Sequence, residues 1–168
     1  MNTAISENKL YSNLDKVINV GIADIKYASS PNSLRTNLGS CVALILFDKV
    51  QKIGGLVHIM LPKSYKPEAK IGKCADTAVP EIINTMINKK GSSKINLVAK
   101  IFGGAKMLAN TANDIGLQNV EEVTKLVREH RIKISAIKTG GTKGYVVQLD
   151  TSTGAVMCRI FGHDIEYF

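Results

Sequence analysis

The sequence has no tryptophan, and aromatic residues make up only 5% of it. It is therefore poorly equipped to stack the bases of a single-stranded nucleic acid. Cysteine is scarce too: Cys41, Cys74 and Cys158 are three, an odd number, with no CxxC pair. That count argues against a disulfide framework, and together with the scattered His58, His130 and His163 it argues against a zinc site. Free thiols in a reducing cytoplasm fit the pattern, and no metal or cofactor is expected. No hydrophobic run approaches the length of a membrane-spanning helix, so no membrane insertion is expected. Residues 1–16 lack the apolar centre of a signal peptide and read as a polar leader, frayed, ahead of a single domain over residues 17–168. Acidic residues are the minority, 14 against 22 Lys and Arg, for a formal charge of +8. The lysines are spread along the chain, a pattern that most often keeps a protein soluble and that can also favour an acidic partner; no motif supports nucleic acid, and none is expected as a partner.

What is present is a set of short strand-like runs. Residues 17–25 (VINVGIADI) alternate as a strand, and residues 29–33 (SSPNS) carry turn chemistry. Residues 41–47 (CVALILF) and 53–61 (IGGLVHIML) read as two strands around DKVQ. Residues 62–73, with two prolines and four lysines, read as an exposed loop. A helix is predicted over residues 76–90, capped by Asp76, with Pro80 near its first turn. Val79, Ile82, Ile83, Met86 and Ile87 form its apolar face, and Gly91 ends it. A strand at 95–102 breaks at Gly103-Gly104, which reads as a turn, and AKMLANTA reads as a short helical turn. A second helix is predicted from Asn119 to His130, Asn119 and Glu122 having capping-box spacing. IKISAI, GYVVQLD and AVMCRIF read as strands, the last two joined by the turn TSTG. Two helices set among strands without regular alternation predict an α+β fold: a layered, strand-rich sandwich with the helices packed outside.

Cys41 stands out because it follows a Gly39-Ser40 turn at the mouth of a strand. A four-residue loop at residues 48–51 would put Phe47 opposite Lys52, and Cys41 directly opposite His58 on one face. Directly opposed Cβ atoms are about 4.5–5.5 Å apart, within reach of a thiol and an imidazole. A one-residue slip, or a bulge at Gly54-Gly55, would separate them. Two readings stay open. Cys41 is either strand packing or a nucleophile whose proton is drawn off by His58. In the second reading, backbone N–H groups of the turn, including that of Cys41, face a developing oxyanion, and Gly39 leaves room for substrate. Cys158 reads as strand core, Cys74 as incidental, and His130 as a favourable helix C-terminal residue.

The stretches LGSCVALILFD, GGLVHIMLP, ADTAV, AKIFGGAKM, IGLQNVE and TGG, in that order, resemble the CheD family, the chemoreceptor glutamine deamidases of bacterial chemotaxis. The resemblance runs from Val17 to Ile160. It implies a layered α/β sandwich related to deamidating bacterial toxins, and hydrolysis of selected glutamine side chains on chemoreceptor signalling helices to glutamate and ammonia. It places the nucleophile on Cys41 and the base on His58. The family's third catalytic group is a threonine six residues before the cysteine; that position is Arg35 here, and the threonine falls on Thr36. A tyrosine commonly precedes ADTAV, where this chain has Cys74. The resemblance also implies a CheC-type phosphatase as a partner competing with receptor. The displaced threonine supports an alternative, a binding module that modulates the phosphatase or the receptor without chemistry. A third reading is another thiol hydrolase, such as a protease or transglutaminase.

Overall fold

A computed structural model describes residues 15–67 and 70–168; most of the leader expected at 1–16 lies outside them. The described residues build two five-stranded sheets and a layer of helices. The first sheet runs β1 (Val17–Asn19), β3 (Ser33–Leu38), β8 (Tyr145–Asp150), β9 (Val156–Ile160), β10 (Ile165–Tyr167). The second runs β2 (Ile25–Ser29), β5 (Ile53–Ile59), β4 (Val42–Asp48), β6 (Leu97–Gly103), β7 (Lys133–Thr139). Two long helices, α1 (Ala75–Asn84) and α2 (Ile115–Glu129), pack on the second sheet. The expected α+β sandwich is thus a three-layer stack, sheet on sheet on helices.

The layering explains why residues 42–48 are apolar almost throughout. All seven residues of β4 are buried, because this central strand is covered on both faces. Val42, Leu44 and Leu46 meet Val79, Ile82 and Val123 of the helices. Ala43, Ile45 and Phe47 meet Leu34, Val147 and Leu149 of the other sheet.

The hairpin between β4 and β5 corrects the expected register. Asp48 pairs with Ile53, and Ala43, not Cys41, lies opposite His58. The loop is residues 49–52, one residue later than expected, which moves each residue's cross-strand partner by two. Asp48 is a strand residue whose carboxylate accepts the N–H groups of Val50 (2.9 Å) and Gln51 (3.0 Å), and Lys52 takes the left-handed conformation at φ 57°. A shift of two preserves the faces. Cys41 therefore stays on the His58 side, as a diagonal neighbour.

Other boundaries moved for local reasons. Residues 17–25 are not one strand: a turn closed by Asp24 N–H to the Gly21 carbonyl (3.0 Å), with Ala23 at φ 64°, separates β1 from β2. β3 and β10 were not expected at all. The apolar face of α1 is as expected, but its N-cap is Cys74, and Asp76 instead accepts the Ser64 N–H. Pro80 lies inside the helix rather than in its first turn, so the bond to the carbonyl four residues back is missing. The helix continues as one wide turn over Thr85–Lys89. In α2 the cap is Asp114, whose carboxylate accepts the Leu117 N–H at 3.0 Å; Asn119 is a fully buried interior residue. The AKMLANTA stretch is not helical.

Candidate active site

β3 belongs to one sheet and β4 to the other, so the chain crosses between sheets at Gly39-Ser40-Cys41. The cysteine sits at the mouth of β4 because that is where the chain enters the second sheet. On β3, Leu34 and Leu38 face the inter-sheet layer, and by the two-residue period so does Thr36. Arg35 therefore points the other way. On β5, Leu56 faces the same layer, and so does His58. Cys41 packs against that same cluster, half-buried at its end. Thr36, Cys41 and His58 thus come from three segments to one end of the layer between the sheets.

The hydrogen bonds fix the state of the imidazole. Thr36 Oγ1 lies 2.7 Å from the Val20 carbonyl oxygen and 2.8 Å from His58 Nδ1. A hydroxyl has one proton, and a carbonyl can only accept. Thr36 therefore donates to Val20 and accepts from His58, so Nδ1 carries the ring proton and Nε2 is bare. Nε2 is buried with no hydrogen-bond partner among the described residues. Thiol and imidazole are accordingly not bonded in this state, as suits diagonal positions, about 7–8 Å apart in a sheet. Burial pushes the Cys41 thiol up. Burial likewise pulls His58 down, partly offset by the Val20 carbonyl and the Asp24 carboxylate. Both groups are therefore neutral at pH 7.

The crossing loop is anchored on its far side. Ala105 N–H donates to the Gly39 carbonyl (3.0 Å) and Gly104 N–H to the Cys41 carbonyl (2.8 Å). The Ser40 carbonyl accepts from Asn119 Nδ2 at 3.1 Å. Gly103 (φ 101°) and Gly104 (φ 66°) were read as turn residues, yet they also permit close packing. A Cβ on Gly103 would lie 2.5 Å from the Cys41 carbonyl oxygen, and one on Gly104 would lie 2.9 Å from that of Gly116. Gly140 and Gly141 have open space around them and act as turn residues. Gly39 is itself close-packed: a Cβ there would meet Met107 Cγ at 3.3 Å. Beside Ser40 lies a small cavity, about 70 Å³, walled by Met107, Leu108, Thr111 and Asp114.

The remaining candidates stay apart. Cys158 is buried between the sheets, pushed up to about 11 chiefly by burial. Cys74 is buried beside α1. His130 accepts the expected C-terminal place on α2, Nδ1 lying 2.8 Å from the Leu126 carbonyl, and His163 is exposed. Among the described residues no group of three or more His, Cys, Asp or Glu is placed to hold a metal ion. Also among them, no helix is long and apolar enough to cross a membrane. Two contributors escaped sequence reasoning: the Val20 carbonyl, which carries no sequence signal, and Asn119. The latter had one, a polar residue three to four positions from Gly116 and Val123 on a buried helical stripe.

The family model described as CheD chemotactic sensory transduction matches residues 60–160. A protein of Methanococcus maripaludis named "Probable chemoreceptor glutamine deamidase CheD" is 44% identical over 146 residues, covering 85% of this chain and 94% of that one. A protein of the same name from Clostridium botulinum is 43% identical over 152 residues, covering 86% and 93%. Among solved structures, the Bacillus licheniformis hypothetical protein YfiH aligns with a TM-score of 0.45 at 15% identity, over 76% of this chain and 60% of that one.

Proposed function

The chain belongs to the CheD family, and from that premise we propose that it is a cysteine-dependent protein-glutamine deamidase acting on the cytoplasmic helices of chemoreceptors. The observation that carries the chemistry is the Thr36–His58 hydrogen bond, which puts the proton of the neutral ring on Nδ1 and so leaves Nε2 free to accept on the face shared with Cys41. Nε2 takes the Cys41 proton as sulfur attacks the side-chain carbonyl carbon of a glutamine. The S–C bond forms and the carbonyl oxygen becomes an oxyanion, which backbone N–H groups of residues 40 and 41 stabilise. His58 returns the proton to the amide nitrogen, the C–N bond breaks and ammonia leaves. Water, deprotonated by the same Nε2, then cleaves the thioester, leaving glutamate and restoring the thiol. Overall one water is consumed and one ammonia released.

Because both groups are neutral at rest, the pair works by proton transfer during attack rather than from a standing thiolate. The net charge of +8 favours an acidic helical surface as substrate. A CheC-type phosphatase is the proposed second partner, competing with receptor for the same end of the molecule. The non-catalytic reading drew on the threonine's displacement by one position, and the Thr36–His58 bond takes that support away. The test is mass spectrometry of a receptor cytoplasmic fragment incubated with wild type or Cys41→Ala. A gain of about one mass unit per site with wild type alone is expected from amide-to-acid exchange. Equal deamidation by Cys41→Ala sinks the assignment.

A further inference from the structure

Asn119 is fully buried in the interior of α2. Its Nδ2 donates to two backbone carbonyls from different strands' ends: Ser40 at 3.1 Å and Met60 at 3.0 Å. Both partners are acceptors only, so the orientation of the carboxamide follows from chemistry. Its Oδ1 is buried without a partner among the described residues. An orphaned buried acceptor is costly, and the two donated bonds are what this residue supplies in return.

Those bonds fall at two telling places. Met60 is two residues beyond His58, and Ser40 immediately precedes Cys41. In a trans peptide, C=O and N–H point in opposite directions. Holding the Ser40 carbonyl against α2 therefore turns the Cys41 N–H away from α2. The flanking carbonyls of Gly39 and Cys41 are held by Ala105 and Gly104, so the neighbouring peptide planes are fixed too. The Ser40–Cys41 plane alone depends on a side chain.

Resting on the deamidase reading, we propose that Asn119 is a positioning residue that orients the Ser40–Cys41 peptide so that the Cys41 N–H serves as the oxyanion donor. It also ties the nucleophile's loop to the end of the strand that carries His58.

The test compares two reactions of Cys41 in the full chain. Iodoacetamide alkylates sulfur with loss of iodide and forms no oxyanion. With 4-nitrophenyl acetate, sulfur adds to the ester carbonyl, an oxyanion forms, and 4-nitrophenolate leaves as the thioester is made. Peptide mapping separates Cys41 from Cys74 and Cys158. In Asn119→Ala, acylation is expected to fall at least about tenfold, less than the hundredfold or more lost when an oxyanion donor is removed outright, because the Cys41 N–H is misaimed rather than deleted. Alkylation should stay within about twofold, because the thiol's proton acceptor is untouched. With receptor fragment, kcat should fall and KM hold. Acylation unchanged, or both rates falling together, overturns the proposal. If Asn119→Ala exposes Cys74 and Cys158 to alkylation, Asn119→Leu, which keeps the branched shape and removes the donor, decides by the same ratio. Should wild type fail to deamidate receptor, the deamidase reading falls while the acylation-to-alkylation ratio still reports on Asn119.

Discussion

A hydroxyl has one proton, and at Thr36 it is committed to the Val20 carbonyl; the tautomer of His58 follows from that commitment. Thr36→Val removes the acceptor for Nδ1–H, but it also frees the Val20 carbonyl, which lies beside the imidazole and can take the proton's bond. The loss in kcat is therefore expected to be moderate, about tenfold rather than the hundredfold or more of a lost general base. Thr36→Ser should retain activity. A loss in Thr36→Val as large as in His58→Ala would show that Val20 does not substitute. The pH profile belongs to this scale as well. Protonated His58 cannot accept the thiol proton, and its value lies below the ordinary 6.5, so the acid limb of kcat/KM should fall below that pH. The Cys41 thiol titrates above its ordinary 9.0, so the alkaline limb lies higher still, both limbs reporting the coupled pair. Alkylation of Cys41 should accelerate toward alkaline pH. A rate flat from about pH 6 to 8 would reveal a standing thiolate–imidazolium pair instead.

Among the elements, α2 matters most to the site, through its contact with Gly104 and Ala105. Gly116 permits that contact: a Cβ there would lie 2.7 Å from the Ala105 carbonyl oxygen and still closer to that of Gly104. Those backbone atoms cannot rotate away as a side chain would. Gly116→Ala is expected to push α2 off the loop that holds the Gly39 and Cys41 carbonyls, costing about 1–3 kcal/mol. Chemical denaturation reads the stability, and deamidation should fall further than stability alone explains. Activity unchanged at wild-type stability would mean the helix shifts without disturbing the loop. This contact also marks where sequence reasoning stopped. The faces of α1, β4 and β5 were legible because period 3.6 and period 2 are local properties. Even the hairpin, misregistered by two, kept Cys41 and His58 on one face. β3 was missed although Leu34, Thr36 and Leu38 alternate, because four of the six residues of SLRTNL are polar and its partner β8 lies more than a hundred residues on. With β3 missing, the Thr36 position looked like a defect rather than a strand residue facing His58. Asn119 looked like a cap for the same kind of reason, since its partners at Ser40 and Met60 are distant in sequence.

Across the whole molecule, the layer between the sheets takes in both Cys41 and Phe168, whose ring meets Phe102 edge-on at 5.5 Å between centroids. Lys100 is buried in β6, and its Nζ donates to the carbonyls of Gly154 (2.7 Å) and Phe168 (2.8 Å). It thus links the second sheet to the β8–β9 turn and to the last residue. Burial pulls its ammonium below the ordinary 10.5. The folded state therefore holds this proton less tightly than the unfolded state does. Between the lowered folded value and 10.5 the unfolded chain binds more protons, so this residue's contribution to stability rises with pH across that window. Lys100→Met removes the dependence. Subtracting the two stability–pH curves should leave a difference that grows in favour of wild type as pH rises toward 10.5, whatever the tyrosines do in both proteins. The mutant should also lose amide-exchange protection at Phe168, while Val156, paired to Phe168 in both directions, retains part of its own. Parallel curves would mean that the two carbonyl bonds fully offset the cost of burying the ammonium. The expected growing difference with unchanged exchange at Phe168 would place its contribution on the β8–β9 turn alone.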